Sequence, residues 1–183
     1  MKRTPFLLSI VVGLQVLWMA GTSISKELHL SRDTTVLLET IPVDPRDLLR
    51  GDFVTLNYKF SNLPAAWILT ADPRKSLNNQ AVYVTLEKRG SFHEAMAASL
   101  EPVQPQPGKI IVRGLMDASW GSEPNRTVRV RYGIEKFFVK EGTGNPNGKV
   151  TVKSAVGPDG SMLIKEVYVN GKPYAEAMRS VNP

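Results

Sequence analysis

Short hydrophobic runs alternate with polar positions along most of this chain. From residue 34 onward the runs are rich in β-branched and aromatic residues, and Gly, Pro, Asn and Asp separate them. This pattern predicts strands. We expect strands at residues 34–41, 52–60, 80–87, 109–113, 127–132, 134–140, 149–156 and 161–169. Alternation is clearest in the second run, where Val54, Leu56, Tyr58 and Phe60 share one face of the strand and predict its buried side.

Turn residues and short helical patterns complete this picture. The sequence Gly-Pro-Asp-Gly at residues 157–160 and the pair Asn170-Gly171 are typical of tight turns. Short helices are predicted at residues 44–49, 93–99 and 174–180. Residues 65–70 fit either a helix or a strand. The chain is therefore predicted to be mainly β, with one barrel-like or sandwich-like domain whose strand order periodicity does not fix.

The N-terminal segment differs from the rest because residues 4–25 contain no charge. At about 1.5 Å per residue, the 20 residues from 5 to 24 would span the roughly 30 Å core of a bilayer as a helix. Lys2 and Arg3 precede the segment, and the positive-inside rule places them in the cytoplasm. Residues 1–25 are thus predicted to be a signal anchor, and residues 26–183 an extracytoplasmic domain.

A cleaved signal peptide is the alternative for this segment. Small residues occupy positions 20–23 after a shorter apolar run, as they do at cleavage sites. No A-x-A triplet is present, and the apolar run is long for a signal peptide, which favours the anchor. In both cases the remainder of the chain is expected outside the cytoplasm, on the far side of the membrane.

Composition narrows the possible chemistry. The chain has 183 residues, 42% hydrophobic and 22% charged, which fits one globular domain and excludes a disordered chain. It contains no Cys, so disulfides, thiol nucleophiles and thiolate metal sites are excluded. The formal net charge is +6, and without Lys2 and Arg3 it is about +4, which is too mild to indicate a partner. We expect no nucleic-acid partner, because the domain is predicted to be exported.

The helical turn and the second strand carry a recognisable motif. Residues 42–58 read PVDPRDLLRGDFVTLNY, and residues 132–142 read YGIEKFFVKEG. Both stretches resemble the GDYXXLXY family, whose motif is matched by five residues: Gly51, Asp52, Phe53, Leu56 and Tyr58. Phe53 stands where the family has Tyr. The resemblance implies a bacterial protein of undescribed activity that is anchored in the inner membrane, in a family associated with uncharacterised multi-pass membrane proteins encoded nearby.

The motif residues suit a strand entry. Gly51 can adopt a positive φ, Asp52 can bond the backbone around a turn, and Leu56 and Tyr58 would point into the sheet. Phe53 would lie on the opposite face, against another layer, a membrane or a partner. A structural role is therefore favoured for the motif, and a binding role stays open.

Catalytic patterns are weak in this sequence. The order of a membrane segment, a β-rich domain and a Gly-Asp strand entry resembles type I signal peptidases, but no Ser or Thr lies between Ile41 and Gly51 to act as nucleophile. His29 and His93 are the only histidines, and neither has a metal-ligand spacing with another residue. We expect no metal and no cofactor. The sequence leaves enzymatic activity open and favours its absence.

Basic residues alternate along the strand at residues 127–132. Arg129 and Arg131 would share one face, close to Lys136 and Lys140 if the next strand folds back. This set could bind lipid headgroups, although a solvated outer face explains it as well. We expect a non-catalytic, membrane-anchored accessory or binding subunit of a membrane protein assembly. The alternatives are an envelope hydrolase and a binder of an anionic polymer or lipid.

Overall fold

A computed structural model describes residues 3–30, 34–41, 53–68, 79–121, 125–139 and 148–179 of the chain. The described residues form two helices and twelve strands. In chain order these are α1 (Arg3–Leu30), β1 (Thr35–Ile41), β2 (Phe53–Thr55), β3 (Asn57–Tyr58), β4 (Asn62–Pro64), β5 (Ala81–Arg89), β6 (Phe92–Ser99), β7 (Lys109–Trp120), β8 (Thr127–Arg131), β9 (Lys136–Phe138), β10 (Val150–Val156), β11 (Met162–Val169), β12 (Lys172–Pro173) and α2 (Tyr174–Arg179).

The strands build two antiparallel five-stranded sheets and one small ribbon. The first sheet has the order β12-β11-β10-β1-β3, and the second has the order β4-β8-β7-β5-β6. Strands β2 and β9 form the ribbon. A short 3-10 turn at Lys59–Ser61 links β3 to β4, so the chain passes directly from one sheet to the other. Together they make a nearly closed, barrel-like structure, which confirms the mainly β prediction.

The core lies inside this barrel and follows the alternation of the strands. In β1, Val36 and Leu38 are fully buried, while Thr35, Leu37 and Glu39 on the other face are only partly buried. The predicted inward face of the second run is also confirmed, because all four of its apolar side chains are buried. Burying a side chain of this size stabilises a fold by about 1.5–3 kcal/mol, so these alternating positions hold the two sheets together.

The β10–β11 hairpin confirms the predicted turn at residues 157–160. Gly160 has a φ of +78°, and a Cβ at this position would lie 2.9 Å from the backbone nitrogen of Arg113. The Arg113 amide donates a 2.8 Å hydrogen bond to the Gly160 carbonyl, which fastens the turn to β7. The second predicted turn, Asn170-Gly171, also has positive φ values at both residues and joins β11 to β12.

Strand β6 corrects one prediction. Residues 93–99 were expected to form a helix because they are rich in Ala, Glu and Met, but Phe92–Ser99 is a strand. A tight turn at Gly90, with a φ of +61°, brings β6 back along β5 as an antiparallel hairpin. Pairing with β5 outweighs the weak helix propensity of these residues, since propensity is a small term beside tertiary contacts.

The other helix predictions have mixed outcomes. The helix expected at residues 174–180 is confirmed as α2. Residues 65–67 of the ambiguous segment form a 3-10 turn, and residues 69 and 70 lie outside the described residues. The predicted helical turn at residues 44–49 also lies outside them.

Helix α1 is longer than the apolar segment that predicted it, and it runs through Lys26 and Glu27 to Leu30. Its described side chains are exposed, including Leu14, Leu17 and Trp18. Among the described residues, no helix is long and apolar enough to cross a membrane.

Candidate binding surfaces

The two stretches that resemble the family meet in the fold. Strand β2 comes from the first stretch and β9 from the second, and they pair antiparallel with Phe53 opposite Phe138. We call β2 and β9 together the motif ribbon. The Leu56 amide donates a 2.8 Å hydrogen bond to the Glu135 carbonyl and extends the pairing by one more bond. Residues more than 75 positions apart thus act as one structural unit.

Two buried tyrosines fix the inner end of the ribbon. The Tyr58 hydroxyl donates a 2.7 Å hydrogen bond to the Ile134 carbonyl, and the Tyr132 hydroxyl donates a 3.0 Å bond to the Phe60 carbonyl. The rings of Phe60 and Tyr132 are 4.3 Å apart between centroids. Burial raises the pKa of both tyrosines, so each hydroxyl keeps its proton and remains a donor.

A carboxylate holds the tight turn that precedes β9. Glu135 accepts hydrogen bonds from the backbone amides of Tyr132, at 2.5 Å, and Gly133, at 2.9 Å. Gly133 has a φ of +82°, a conformation that glycine adopts without strain. Each carboxylate oxygen thus satisfies one backbone donor of the turn, and this arrangement positions Ile134 to accept the bond from Tyr58.

The outer side of the motif ribbon carries exposed aromatic surface. Phe138 is 73% exposed, and its ring packs edge-on against Phe53 with centroids 6.1 Å apart. The ammonium of Lys136 lies 4.6 Å from the centre of the Phe53 ring, which is within the range of a cation–π contact. Gly51, Asp52 and Lys140 lie outside the described residues. The exposed Phe138 and the partly exposed Phe53 therefore form an apolar surface on the outer side of the motif ribbon.

Comparison with family models gives a match that spans both stretches. A family model described as GDYXXLXY protein matches residues 15–167. The chain belongs to the GDYXXLXY family. Comparison with curated proteins and with solved structures gives no match. Within the GDYXXLXY motif of this chain, Leu56 and Tyr58 are buried parts of the fold, whereas Phe53 is only partly covered.

The strands that carry the described members of the predicted basic set do not pair with each other. Arg129 donates a 3.1 Å hydrogen bond to Asn57, and Arg131 lies 3.1 Å from a carboxylate oxygen of Asp117. Lys136 is on β9, which pairs with β2 and does not fold back on β8. The predicted cluster required the strand after β8 to fold back on it, and β9 does not do so.

Sequence reasoning missed a polar cluster on the outer face of β1. Glu39 pairs with Lys59 and with Lys149, whose ammonium lies 2.6 Å from a carboxylate oxygen. Hydrogen bonds from Lys149 and Lys59 lower the pKa of Glu39 below its ordinary value. The Lys149 ammonium also lies 4.8 Å from the centre of the Phe92 ring. No spacing in the sequence signals this cluster, because its members come from three separate segments.

A cavity of about 290 Å³ lies beside this cluster, and we call it the Glu39 cavity. Its lining residues include Lys59, Trp67, Phe92 and His93. It thus combines aromatic surface with a few polar groups, as small-molecule sites do.

His93 is the residue that connects β6 to β1. The Leu37 amide of β1 donates a 3.1 Å hydrogen bond to Nδ1 of His93. Only an unprotonated Nδ1 can accept this bond, so the neutral ring carries its proton on Nε2. Burial lowers the pKa of His93, and the charge of Lys88 acts in the same direction. We call this place, where a side chain bridges two strands, the His93 seam.

Proposed function

We propose that this protein is a non-catalytic, membrane-anchored envelope protein that acts as an accessory or binding subunit of a membrane protein assembly. The observation that carries the proposal is the distribution of apolar residues on α1. At about 100° per residue, Val11, Val12, Leu14 and Leu17 point to different sides of the helix, and all of them are exposed. A helix that is apolar all round requires a lipid or protein environment.

The sequence of the segment supports an anchor with the N-terminus inside. Residues 5–24 are uncharged, and Lys2 and Arg3 precede them. This proposal goes beyond the described residues, none of whose helices meets the length and apolarity of a membrane span. An anchored domain needs only a modest docking surface, because tethering raises its effective concentration near a membrane partner. The Phe53–Phe138 pair supplies exposed apolar surface for such a contact.

Anchoring is tested by alkaline extraction of membranes that contain the full-length protein. We expect the wild type to stay in the membrane fraction and the double variant Leu14→Lys/Leu17→Lys to be released, because two charges in a span are costly. The matched control is Leu14→Val/Leu17→Val, which keeps both positions apolar and should stay in the membrane. Release of the wild type, or retention of the lysine variant, would contradict the proposal. The intact mass of the protein would separate an anchor from a cleaved signal peptide.

The partner contact is tested by placing a photo-crosslinking amino acid at Phe138. We expect one multi-pass membrane protein to crosslink from this position. The control position is Glu101, which is exposed in the segment between β6 and β7. Equal crosslinking from both positions, or none from Phe138, would argue against a docking role for the motif ribbon.

A hydrolase is the second candidate, and the geometry of His93 speaks against it. A histidine that acts as general base needs one nitrogen on the nucleophile and an orienting group on the other. Here a backbone amide occupies Nδ1, and among the described residues no hydrogen bond joins His93 to Ser91 or to another hydroxyl. We therefore favour the binding role.

A further inference from the structure

A second cavity, of about 460 Å³, shares His93 with the Glu39 cavity. We call it the Lys153 cavity. Seven of its lining residues carry hydrogen-bond donors on their side chains: Thr35, Lys88, Ser91, His93, Thr151, Lys153 and Tyr168, of which Tyr168 already donates its hydroxyl to Glu166. None of its lining residues within the described parts of the chain is acidic. The cavity therefore presents donors and positive charge.

The strand registers explain how these groups come together. Lys153 of β10 lies opposite Leu37 of β1, and Lys88 of β5 lies opposite His93 of β6. The hydrogen bond from Leu37 to His93 joins these two pairs of residues. One lysine from each five-stranded sheet thus faces the same cavity.

Two carboxylates close to this cavity have partners other than Lys88 and Lys153. Glu166, which is the cross-strand partner of Lys153, accepts a 2.5 Å hydrogen bond from the Tyr168 hydroxyl. Glu39 is bound by Lys59 and Lys149. Among the described residues, neither Lys88 nor Lys153 forms an ion pair. Their charge is therefore available to an anion that enters the cavity.

The tautomer of His93 adds a directed donor. Because Nδ1 accepts the Leu37 amide, Nε2 carries the proton of the neutral ring and can donate it to a ligand. Partial burial of the ring and the positive charge of Lys88 lower the pKa of His93, which keeps the ring neutral. A ligand with several acceptor oxygens would use the ring, the ammonium groups and the hydroxyls together.

We propose that the Lys153 cavity is a binding site for a phosphate group, presented either as free phosphate or as the phosphate of a lipid headgroup. Besides the Tyr168 hydroxyl, which is bonded to Glu166, the cavity offers two ammonium groups, an imidazole N–H and three hydroxyls. This set exceeds what the two oxygens of a carboxylate can accept, whereas a phosphate has three or four oxygens, and lysine binds phosphate as a point charge. The proposal is independent of the membrane anchor and of the motif ribbon.

The test uses the full-length protein in detergent micelles, titrated with inorganic phosphate and, separately, with short-chain phosphatidic acid. The chain has two histidines, so His93 is the one histidine left in the variant His29→Asn. The Nε2–H signal of the histidine ring in a nitrogen-edited NMR spectrum of this variant therefore belongs to His93. We expect this signal to shift and to saturate. In Lys88→Gln/Lys153→Gln the dissociation constant should rise about tenfold or more, because two charge-assisted hydrogen bonds are lost.

The control is Lys109→Gln/Lys165→Gln, which removes the same charge from two lysines that line neither cavity. This variant should bind like the wild type. Saturation with either ligand supports the proposal, and the tighter ligand identifies the source of the phosphate. Absence of saturation with both ligands, or equal weakening in the two double variants, would overturn it.

Discussion

The motif ribbon and the His93 seam close the same barrel in different ways. At the ribbon, backbone pairing of β2 with β9 continues into two buried tyrosine hydroxyls and a carboxylate that satisfies two amides. At the seam, the described strands β1 and β6 form no ladder, and one histidine side chain accepts the Leu37 amide. The first junction is packed. The second is flanked by the Glu39 cavity and the Lys153 cavity, which both include His93 in their lining.

This difference separates the residues that hold the fold from those that face solvent. A junction closed by backbone bonds and buried rings leaves no room for a ligand. A junction closed by one side chain leaves polar groups beside open volume, where a small molecule can bind. We infer that Leu56 and Tyr58 of the GDYXXLXY motif serve mainly the folding of this chain, and that its binding surfaces lie at the Phe53–Phe138 pair and at the His93 seam.

The largest expected effect is at the buried end of the ribbon. Tyr58→Ala removes a fully buried ring and should lower the free energy of unfolding by roughly 3–5 kcal/mol. Tyr58→Phe keeps the ring and loses only the bond to Ile134, so about 1 kcal/mol is expected. Urea unfolding followed by tryptophan fluorescence measures both values. Equal losses in the two variants would mean that the ring contributes nothing to closing the barrel.

A smaller loss is expected at the turn before β9. Glu135→Ala leaves the amides of Tyr132 and Gly133 without their acceptor and should cost about 1–2 kcal/mol. Glu135→Gln retains one acceptor oxygen and should fall between this variant and the wild type. The same urea assay checks the order. A glutamine variant less stable than the alanine variant would contradict the assigned role of the carboxylate.

The His93 seam should make stability depend on pH. The pKa of His93 is lowered in the folded state from its ordinary value of 6.5, so the unfolded chain binds the proton more readily. The contribution of His93 to stability should therefore be constant above its ordinary pKa of 6.5, and it should fall as the pH drops below 6.5. Other charged or titratable groups around the ring come from several elements: Glu39, Lys59, Lys88, Glu94, Lys153 and Tyr168.

The variant His93→Gln isolates the histidine from these groups. Its side-chain oxygen can accept the Leu37 amide but does not titrate, so its stability should vary less between about pH 5 and pH 8 than that of the wild type. Thermal unfolding of both proteins across this range gives the comparison. Identical pH profiles would show that His93 does not carry the dependence.

The smallest effect on stability is expected at the outer side of the ribbon. Phe138→Ser changes an exposed side chain, so the free energy of unfolding should stay within about 0.5 kcal/mol of the wild type. The same substitution should weaken capture of the membrane partner. A large loss of stability would instead assign the Phe53–Phe138 pair to the core.

Local alternation predicted most of the strands and their buried faces, because the side-chain period of a strand is visible in the sequence. The residues around position 93 predict a helix because they favour helices locally, whereas their strand partner β5 is a tertiary feature that local propensity does not indicate. The contact of Phe53 with Phe138 joins residues too distant for any local pattern to indicate. The Lys153 cavity was missed for the same reason, because its lysines belong to different sheets.

Two backbone amides test the contrast between the junctions most directly. Leu56 donates to Glu135 within the packed ribbon, and Leu37 donates to His93 at the seam. Native-state hydrogen exchange should show the Leu56 amide opening only with global unfolding and the Leu37 amide opening locally at a lower free energy. Equal protection of both amides, or stronger protection of Leu37, would contradict the account.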